Sequence, residues 1–110
     1  MIDYKDARVT WDMIKNIDWS KVITWDSEGY LSEDLLTLEY DNCIIDVGWY
    51  GGRDGHFSIY VITPEDKPDE DGCIYTSESW HRPYMRLPCK DSFDMLTQLQ
   101  RAIDIYPSMI

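Results

Sequence analysis

The strongest structural signal lies in two neighbouring stretches, Cys43-Ile44-Ile45-Asp46-Val47-Gly48-Trp49-Tyr50 and Phe57-Ser58-Ile59-Tyr60-Val61-Ile62. In each stretch apolar residues recur at every second position, which is the period of a strand with one buried face. The Gly-rich connection between them, residues 51–55, is too short for a crossover helix. The two stretches therefore predict an antiparallel β-hairpin.

The same alternation extends upstream through residues 35–40, and Asp41-Asn42 supplies the turn that joins this stretch to Cys43. A three-strand meander follows, and Cys73–Thr76 is a candidate fourth strand. A short strand is also expected over residues 22–25. The predicted core face carries Leu36, Leu38, Ile45, Val47, Trp49, Phe57, Ile59 and Val61. The opposite face, predicted to meet solvent, carries Thr37, Glu39, Asp46, Tyr50, Ser58 and Tyr60.

Helical spacing occurs at both ends of the chain. Residues 6–17 place Val9, Met13, Ile14 and Ile17 at helical intervals, which predicts an N-terminal helix. Asp91 is the expected N-cap of a C-terminal helix that Pro107 ends, and residues 80–88 are expected to be irregular. Its apolar stripe consists of Met95, Leu99, Ala102, Ile103 and Tyr106. The sequence predicts one α+β domain, residues 1–110, with an antiparallel meander sheet of four to five strands and both helices packed on one face.

Composition narrows the class of protein. A chain of 110 residues is long enough for one domain, and an apolar content of 44% excludes general disorder. We expect a cytoplasmic, soluble protein, because no apolar run is long enough for a membrane span and no leader pattern begins the chain. The 21 acidic and 10 basic residues give a net charge of −11, which disfavours a direct nucleic-acid binder and favours a basic partner.

The negative charge is concentrated in the middle of the chain. Between Val22 and Asp71 there are 13 acidic and two basic residues, which together account for the whole net charge. Like charges at this density repel one another, so a surface that meets a cationic protein is a plausible reason for them, and solubility alone is the alternative.

No catalytic or metal-binding motif accompanies the two histidines, His56 and His81, or the three cysteines. Asp66, Asp69 and Asp71 could offer oxygen ligands to calcium, but they lack the register of an EF-hand loop. We therefore expect no enzyme, cofactor or metal site. A small enzyme that uses His56 or His81 is the weaker alternative.

The stretch from Ile44 to Tyr50, the Gly-rich turn and the stretch from Phe57 to Ile62 together resemble small immunity proteins of bacterial polymorphic-toxin and contact-dependent growth inhibition systems. Trp25, Trp80 and the helix that begins at Asp91 fit the layout of such proteins. The resemblance implies a cytoplasmic, non-enzymatic antitoxin that binds the C-terminal domain of one cognate toxin, and a gene just downstream of the toxin's gene.

A toxin-binding surface would combine carboxylates, which pair with Lys and Arg, and tyrosines, which supply rigid contact area. Because nuclease surfaces are cationic, a basic nuclease is the favoured target. The alternative is an acidic DNA mimic that occupies a host enzyme's nucleic-acid channel. Residues 63–72, which contain two prolines and five acidic residues, are expected to form an exposed acidic connection. The predicted toxin-binding residues are Glu39, Asp46, Tyr50 and Tyr60 on the sheet and Glu65, Asp66, Asp69, Glu70 and Asp71 on this connection.

Overall fold

A computed structural model describes residues 2–15, 17–20, 23 and 31–110. In this part of the chain, five strands form one antiparallel sheet in the order β1-β2-β3-β4-β5. The α+β class, the antiparallel meander and the C-terminal helix predicted from the sequence are confirmed. The strands are β1 (Arg8–Asp12), β2 (Leu36–Glu39), β3 (Ile44–Tyr50), β4 (His56–Ile62) and β5 (Met85–Pro88), and the α-helices are α1 (Ser77–His81) and α2 (Ser92–Met109).

One face of the sheet packs against α2 and forms the core. All eight residues predicted for this face are buried. Phe57 lies at its centre, with its ring edge-on to Trp49 at a centroid distance of 4.9 Å. The helix contributes Met95, Leu99, Ala102 and Ile103 to the core, as their spacing predicts.

Both ends of α2 are capped by side chains. The Asp91 carboxylate accepts a hydrogen bond from the Asp94 N–H at 2.7 Å, as expected for an N-cap. The predicted end at Pro107 is wrong, because the helix continues to Met109. Pro107 lies in the last turn, where the missing N–H removes only one bond, and the Asn42 amide donates to the carbonyls of Pro107 and Ile110.

The predicted N-terminal helix over residues 6–17 is wrong. The segment begins with β1, an edge strand that pairs with β2, and only Ile14 and Ile17 among its predicted apolar stripe are buried. Val9-Thr10-Trp11 combines β-branched and aromatic residues, which favour a strand. The Asp12 carboxylate then accepts hydrogen bonds from the N–H groups of Ile14 and Lys15 and turns the chain away. The predicted strand over residues 22–25 lies outside the described residues, except for Ile23.

The connection after β4 also differs from the prediction. Cys73–Thr76 is a loop rather than a fourth strand, and the region expected to be irregular contains α1 and β5. Thr76 caps α1 through reciprocal bonds with Ser79. Pro88 is tolerated because β5 is an edge strand, where a missing N–H need not break a ladder. No helix among the described residues is long and apolar enough to cross a membrane.

Candidate functional site

The face of the sheet opposite α2 carries a row of side chains that crosses all five strands. Register pairs Trp11 with Thr37, Thr37 with Asp46, Asp46 with Tyr60, and Tyr60 with Arg86. Register and alternation also place Arg8, Glu39, Tyr50, His56 and Ser58 on this side, together with the buried Ile44 and Ile62. We call this surface the polar face.

Asp46 occupies the middle of the row. Its side chain is only 5% exposed, and one oxygen, Oδ1, accepts a hydrogen bond from the Thr37 hydroxyl at 2.7 Å. The pKa of Asp46 is raised to about 7, mainly by burial; the Thr37 hydrogen bond opposes the rise, and the nearby Asp34 carboxylate adds to it. No ion pair involving Asp46 is present among the described residues. The carboxylate is therefore held at the face without a cationic partner.

Two tyrosines lie near this carboxylate: Tyr60 is its register partner on β4, and Tyr50 lies four residues further along β3. Tyr50 and Tyr60 meet edge to face at a centroid distance of 5.4 Å, and the Arg86 guanidinium carbon lies 5.9 Å from the centroid of the Tyr60 ring. Burial raises the pKa of the Tyr50 hydroxyl far above its usual range, with contributions from Asp46, Tyr60, Glu33 and Asp34. The tyrosine thus stays a neutral hydrogen-bonding group.

Trp11 closes the row at the β1 edge. It is 50% exposed, yet its indole N–H donates to the Asp34 carbonyl at 2.8 Å, which fixes the ring. A held aromatic side chain that keeps half its surface in solvent is typical of a contact residue at a protein interface.

The chain before β2 partly covers the polar face. The Leu35 N–H donates to the Val47 carbonyl, and the Trp49 N–H donates to the Ser32 carbonyl at 2.7 Å, so residues 33 and 34 bulge between two points of pairing. Gly48 permits this approach, because a Cβ atom there would overlap the Glu33 carbonyl. Opposite Gly48, the buried Ser58 hydroxyl has no hydrogen-bond partner among the described residues.

The expectation that the polar face is fully open to solvent is therefore wrong in part. Asp46 and Ser58 are buried, and Thr37, Glu39, Tyr50 and Tyr60 are half-buried. The bulged segment, residues 32–35, supplies part of this cover, since its backbone lies over Gly48. Alternation correctly placed these side chains on one face, but it carries no information about a segment that folds across them.

Glu39 lies at another part of the polar face. It is half-buried, pairs in register with Arg8, and lies 3.8 Å from the Arg8 guanidinium. Tyr75, from the connection after β4, lies nearby, because Glu39 and Cys43 both contribute to its raised pKa of about 12, although burial is the larger cause. The acidic loop thus begins and ends near the Glu39 end of the sheet.

The acidic loop, residues 63–76, is folded back on itself by backbone hydrogen bonds from Glu65 to Ile74 and from Asp69 to Cys73. Two of its predicted toxin-binding residues have structural bonds. The Glu65 carboxylate accepts from the Ser79 hydroxyl, and the Asp69 carboxylate accepts from the N–H groups of Asp71 and Cys73. The carboxylates of Asp66, Glu70 and Asp71 are exposed and make no hydrogen bond to any described residue.

Other candidate chemistry is not assembled in the described part of the chain. No group of three or more His, Cys, Asp or Glu side chains there is placed to hold a metal ion. His56 starts β4, whereas His81 ends α1 at an exposed position. Burial raises the pKa of Cys43 to about 11 and that of Cys89 to about 12, so both remain protonated thiols at neutral pH.

Two residues of the row, Trp11 and Arg86, were missed at the sequence level. Trp11 fell within the predicted helix and Arg86 within the segment expected to be irregular. The β-branched run before Trp11 and the alternation of Met85 and Leu87 around Arg86 are the signals that could have placed them on strands.

No family model matches the sequence, and no curated protein or solved structure gives a significant match. Function must therefore be argued from the geometry of the polar face and the acidic loop.

Proposed function

We propose that this protein is an immunity protein that binds a basic nuclease toxin domain and blocks its active site or its access to substrate. It would act in the cytoplasm, with no cofactor. The polar face supplies the docking surface, and the acidic loop attracts the partner. The observation that carries the proposal is Asp46, a nearly buried carboxylate without a salt bridge to any described residue, paired in register with Tyr60 on a sheet face where Tyr60 contacts Tyr50.

Asp46 is difficult to explain by folding alone. A buried carboxylate without a cation destabilises the folded state, and a Val or Thr at this strand position would pack without that penalty. Natural proteins keep such groups where a partner or ligand satisfies them. The nearby Tyr50 and Tyr60, together with Trp11, provide the rigid aromatic area that interfaces favour.

Acidic residues in different parts of the chain have different roles. Near the termini, several carboxylates serve the fold: Asp12, Asp91 and Asp94 accept backbone N–H bonds, and Asp104 pairs with Lys5 at 3.1 Å. In the middle of the chain, Glu33, Asp34, Asp66, Glu70 and Asp71 are exposed without such bonds from their side chains to described residues. This division supports a negative surface that steers a cationic partner.

The composition of the row favours protein recognition over nucleic-acid mimicry. A phosphate-backbone mimic needs repeated carboxylates at regular intervals, whereas this row contains one carboxylate, an arginine and two aromatic residues. Such mixed chemistry suits the varied side chains of a protein surface.

The proposal is tested by growth rescue. The C-terminal domain encoded by the gene immediately upstream is expressed in bacterial cells with and without this chain. We expect growth arrest without the chain and growth with it. An upstream domain that arrests growth regardless of this chain, or that is harmless, contradicts the proposal.

A pair of tryptophan variants assigns the surface. Trp11→Ala removes an aromatic residue of the polar face that is 50% exposed, and Trp80→Ala removes a comparable residue of α1 that is 42% exposed. We expect Trp11→Ala to weaken toxin binding by about 30-fold and Trp80→Ala to leave it nearly unchanged. The reverse order would move the interface to the α1 side.

The acidic loop is tested separately through association kinetics. Asp66, Glu70 and Asp71 are replaced together by Lys, because their side chains make no structural bonds to described residues. We expect association to slow by about tenfold or more at low salt and the salt dependence to flatten, with a smaller effect on dissociation. An unchanged association rate removes the loop from the interface.

A further inference from the structure

We infer that the polar face receives one arginine side chain of the partner, whose guanidinium group binds the Asp46 carboxylate and lies against the Tyr50 and Tyr60 rings. This inference rests on the proposed function and names the chemistry of its anchor. It is distinct from the general attraction between an acidic surface and a basic protein, because it assigns one carboxylate and two rings to one cation.

The two oxygens of Asp46 have different surroundings. Oδ1 accepts the hydrogen bond from the Thr37 hydroxyl, whereas Oδ2 accepts none from any described residue. Oδ2 is also absent from the fully enclosed unpaired atoms of the described chain, which are Ser58 Oγ and Tyr75 Oη. The fold therefore holds a nearly buried carboxylate with one oxygen hydrogen-bonded and the other neither fully enclosed nor bonded to a described residue.

The Tyr60 ring already has one guanidinium group over it. Arg86 of this chain lies over Tyr60, on the side of β5, with its guanidinium carbon 5.9 Å from the ring centroid. Asp46 lies on the other side of Tyr60, and Tyr50 lies next to it on β3. A partner's guanidinium would thus find a carboxylate and aromatic surface together. Arginine fits better than lysine, because its planar group stacks on rings and is more weakly hydrated.

Proton release accompanies binding in this arrangement. Burial raises the pKa of Asp46 to about 7, so a substantial fraction of the free protein carries a protonated carboxyl at neutral pH. A bound guanidinium favours the ionised form and lowers that pKa. Affinity should therefore rise with pH, by about sevenfold between pH 5.5 and pH 8 for a fall of about one unit in that pKa.

Other charged groups on the polar face could also contribute to the pH dependence, so the experiment needs variants that remove them. The ones that register or electrostatic contribution place on the polar face are Arg8 from β1, Glu33 and Asp34 from the bulged segment, Glu39 from β2, His56 from β4 and Arg86 from β5. The variant His56→Gln removes an imidazole as a source of pH dependence. The variant Arg86→Gln removes the arginine of this chain as the cation that Asp46 uses.

The test titrates the purified protein with N-acetyl-arginine amide at pH 8 and follows the Tyr50 and Tyr60 ring signals and the Asp46 carboxyl carbon by NMR. N-acetyl-citrulline amide, which is neutral and nearly the same shape, is the matched control. We expect saturable shifts with millimolar arginine derivative, at least about fivefold smaller shifts with citrulline, and a fall of about one pH unit in the Asp46 titration midpoint. Asp46→Asn should abolish the difference between the two probes, and His56→Gln should preserve it.

Three results overturn the inference. One is equal shifts from the arginine and citrulline derivatives in the wild type. Another is an Asp46 midpoint near 4 in the free protein. The last concerns the Asp46 titration midpoint in the variant Arg86→Gln. If this midpoint rises by as much as the arginine derivative lowers it in the wild type, Arg86 of this chain is already the cation that pairs with Asp46. Because these measurements use no toxin, failure of growth rescue with intact arginine binding rejects the proposed function alone.

Discussion

The two faces of the sheet differ in the side chains that they bury. On the α2 side, Phe57, Leu38 and their neighbours are fully buried apolar side chains that leave no polar group to satisfy. On the polar face, the same strands bury Asp46 and the Ser58 hydroxyl with few or no partners. Side chains of β3 and β4 point alternately to these two faces. Burial of the apolar side chains against α2 can therefore stabilise the fold even though buried polar groups on the polar face lack hydrogen-bond partners.

This difference indicates that the α2 side of the sheet stabilises the fold, whereas the polar face is available for recognition. The α2 side should tolerate little change, because each truncation leaves a cavity. The polar face should tolerate or even gain from removal of its unsatisfied polar groups, such as the Ser58 hydroxyl, when no partner is present. Measurements on the free protein can therefore test the contrast before a partner is known.

The largest expected effect is a core truncation. Phe57→Ala should lower the free energy of unfolding by about 3 to 5 kcal/mol, because Phe57 is fully buried against Trp49 and Trp19. Urea unfolding of the wild type and variant measures the change. Tyr60→Ala, on the polar face of the same strand, is the matched control and should cost less. Equal losses would remove the contrast between the faces.

The next effect depends on pH. The raised pKa of Asp46 means that its stabilising contribution is fully present below pH 4 and is lost as pH rises through about 7. Asp46→Asn does not titrate, so it should exceed the wild type in stability by about 2 to 4 kcal/mol at pH 8 and match it near pH 4.

Urea unfolding across this pH range measures the Asp46→Asn difference. Asp66→Asn, at an exposed position of the acidic loop, is the control and should follow the wild type across this pH range. A wild type that is more stable than Asp46→Asn at pH 8 would mean that the carboxylate is satisfied within the fold.

A smaller effect is expected where the bulged segment lies over β3. Gly48→Ala places a Cβ atom against the Glu33 carbonyl, so the segment must move, at a cost of about 1 to 3 kcal/mol. Amide hydrogen exchange should accelerate at Leu35 and Trp49, whose N–H groups bond across this contact. Unchanged exchange at both amides would show that the segment does not depend on Gly48.

The smallest effect is expected opposite Gly48. Ser58→Ala removes a buried hydroxyl that has no partner among the described residues, so stability should stay the same or rise by up to about 1 kcal/mol. Thr37→Val, which removes the donor to Asp46, is the informative comparison and should lower stability at pH 8. A marked loss in Ser58→Ala would reveal a partner for that hydroxyl.

Much of the sheet could be predicted from the sequence because alternation over β2, β3 and β4 is strict and their connections are short. The spacing of Met95, Leu99 and Ile103 likewise predicted α2. The N-terminal segment was mispredicted because Val9, Met13 and Ile17 match a helical interval by coincidence, while pairing with β2 selects a strand. β5 was missed because four residues between prolines give too short a pattern.

The candidate site was also only partly predictable from the sequence. Alternation alone brought Asp46, Tyr50 and Tyr60 together on one face, and the structure places them side by side. Trp11 and Arg86 join them only through pairing of the two edge strands, which depends on contacts distant in sequence. The burial of Asp46 depends on tertiary packing, which includes the bulged segment over Gly48, and no local pattern encodes it.

The most direct test of the central claim is an NMR map of this protein bound to the purified toxin domain. The account predicts that the Trp11 indole N–H and the Tyr50 and Tyr60 rings shift most, while the buried α2 residues Met95 and Leu99 hardly change. Shifts confined to the outer surface of α2, with the three aromatic signals unmoved, would contradict the assignment of the polar face as the binding surface.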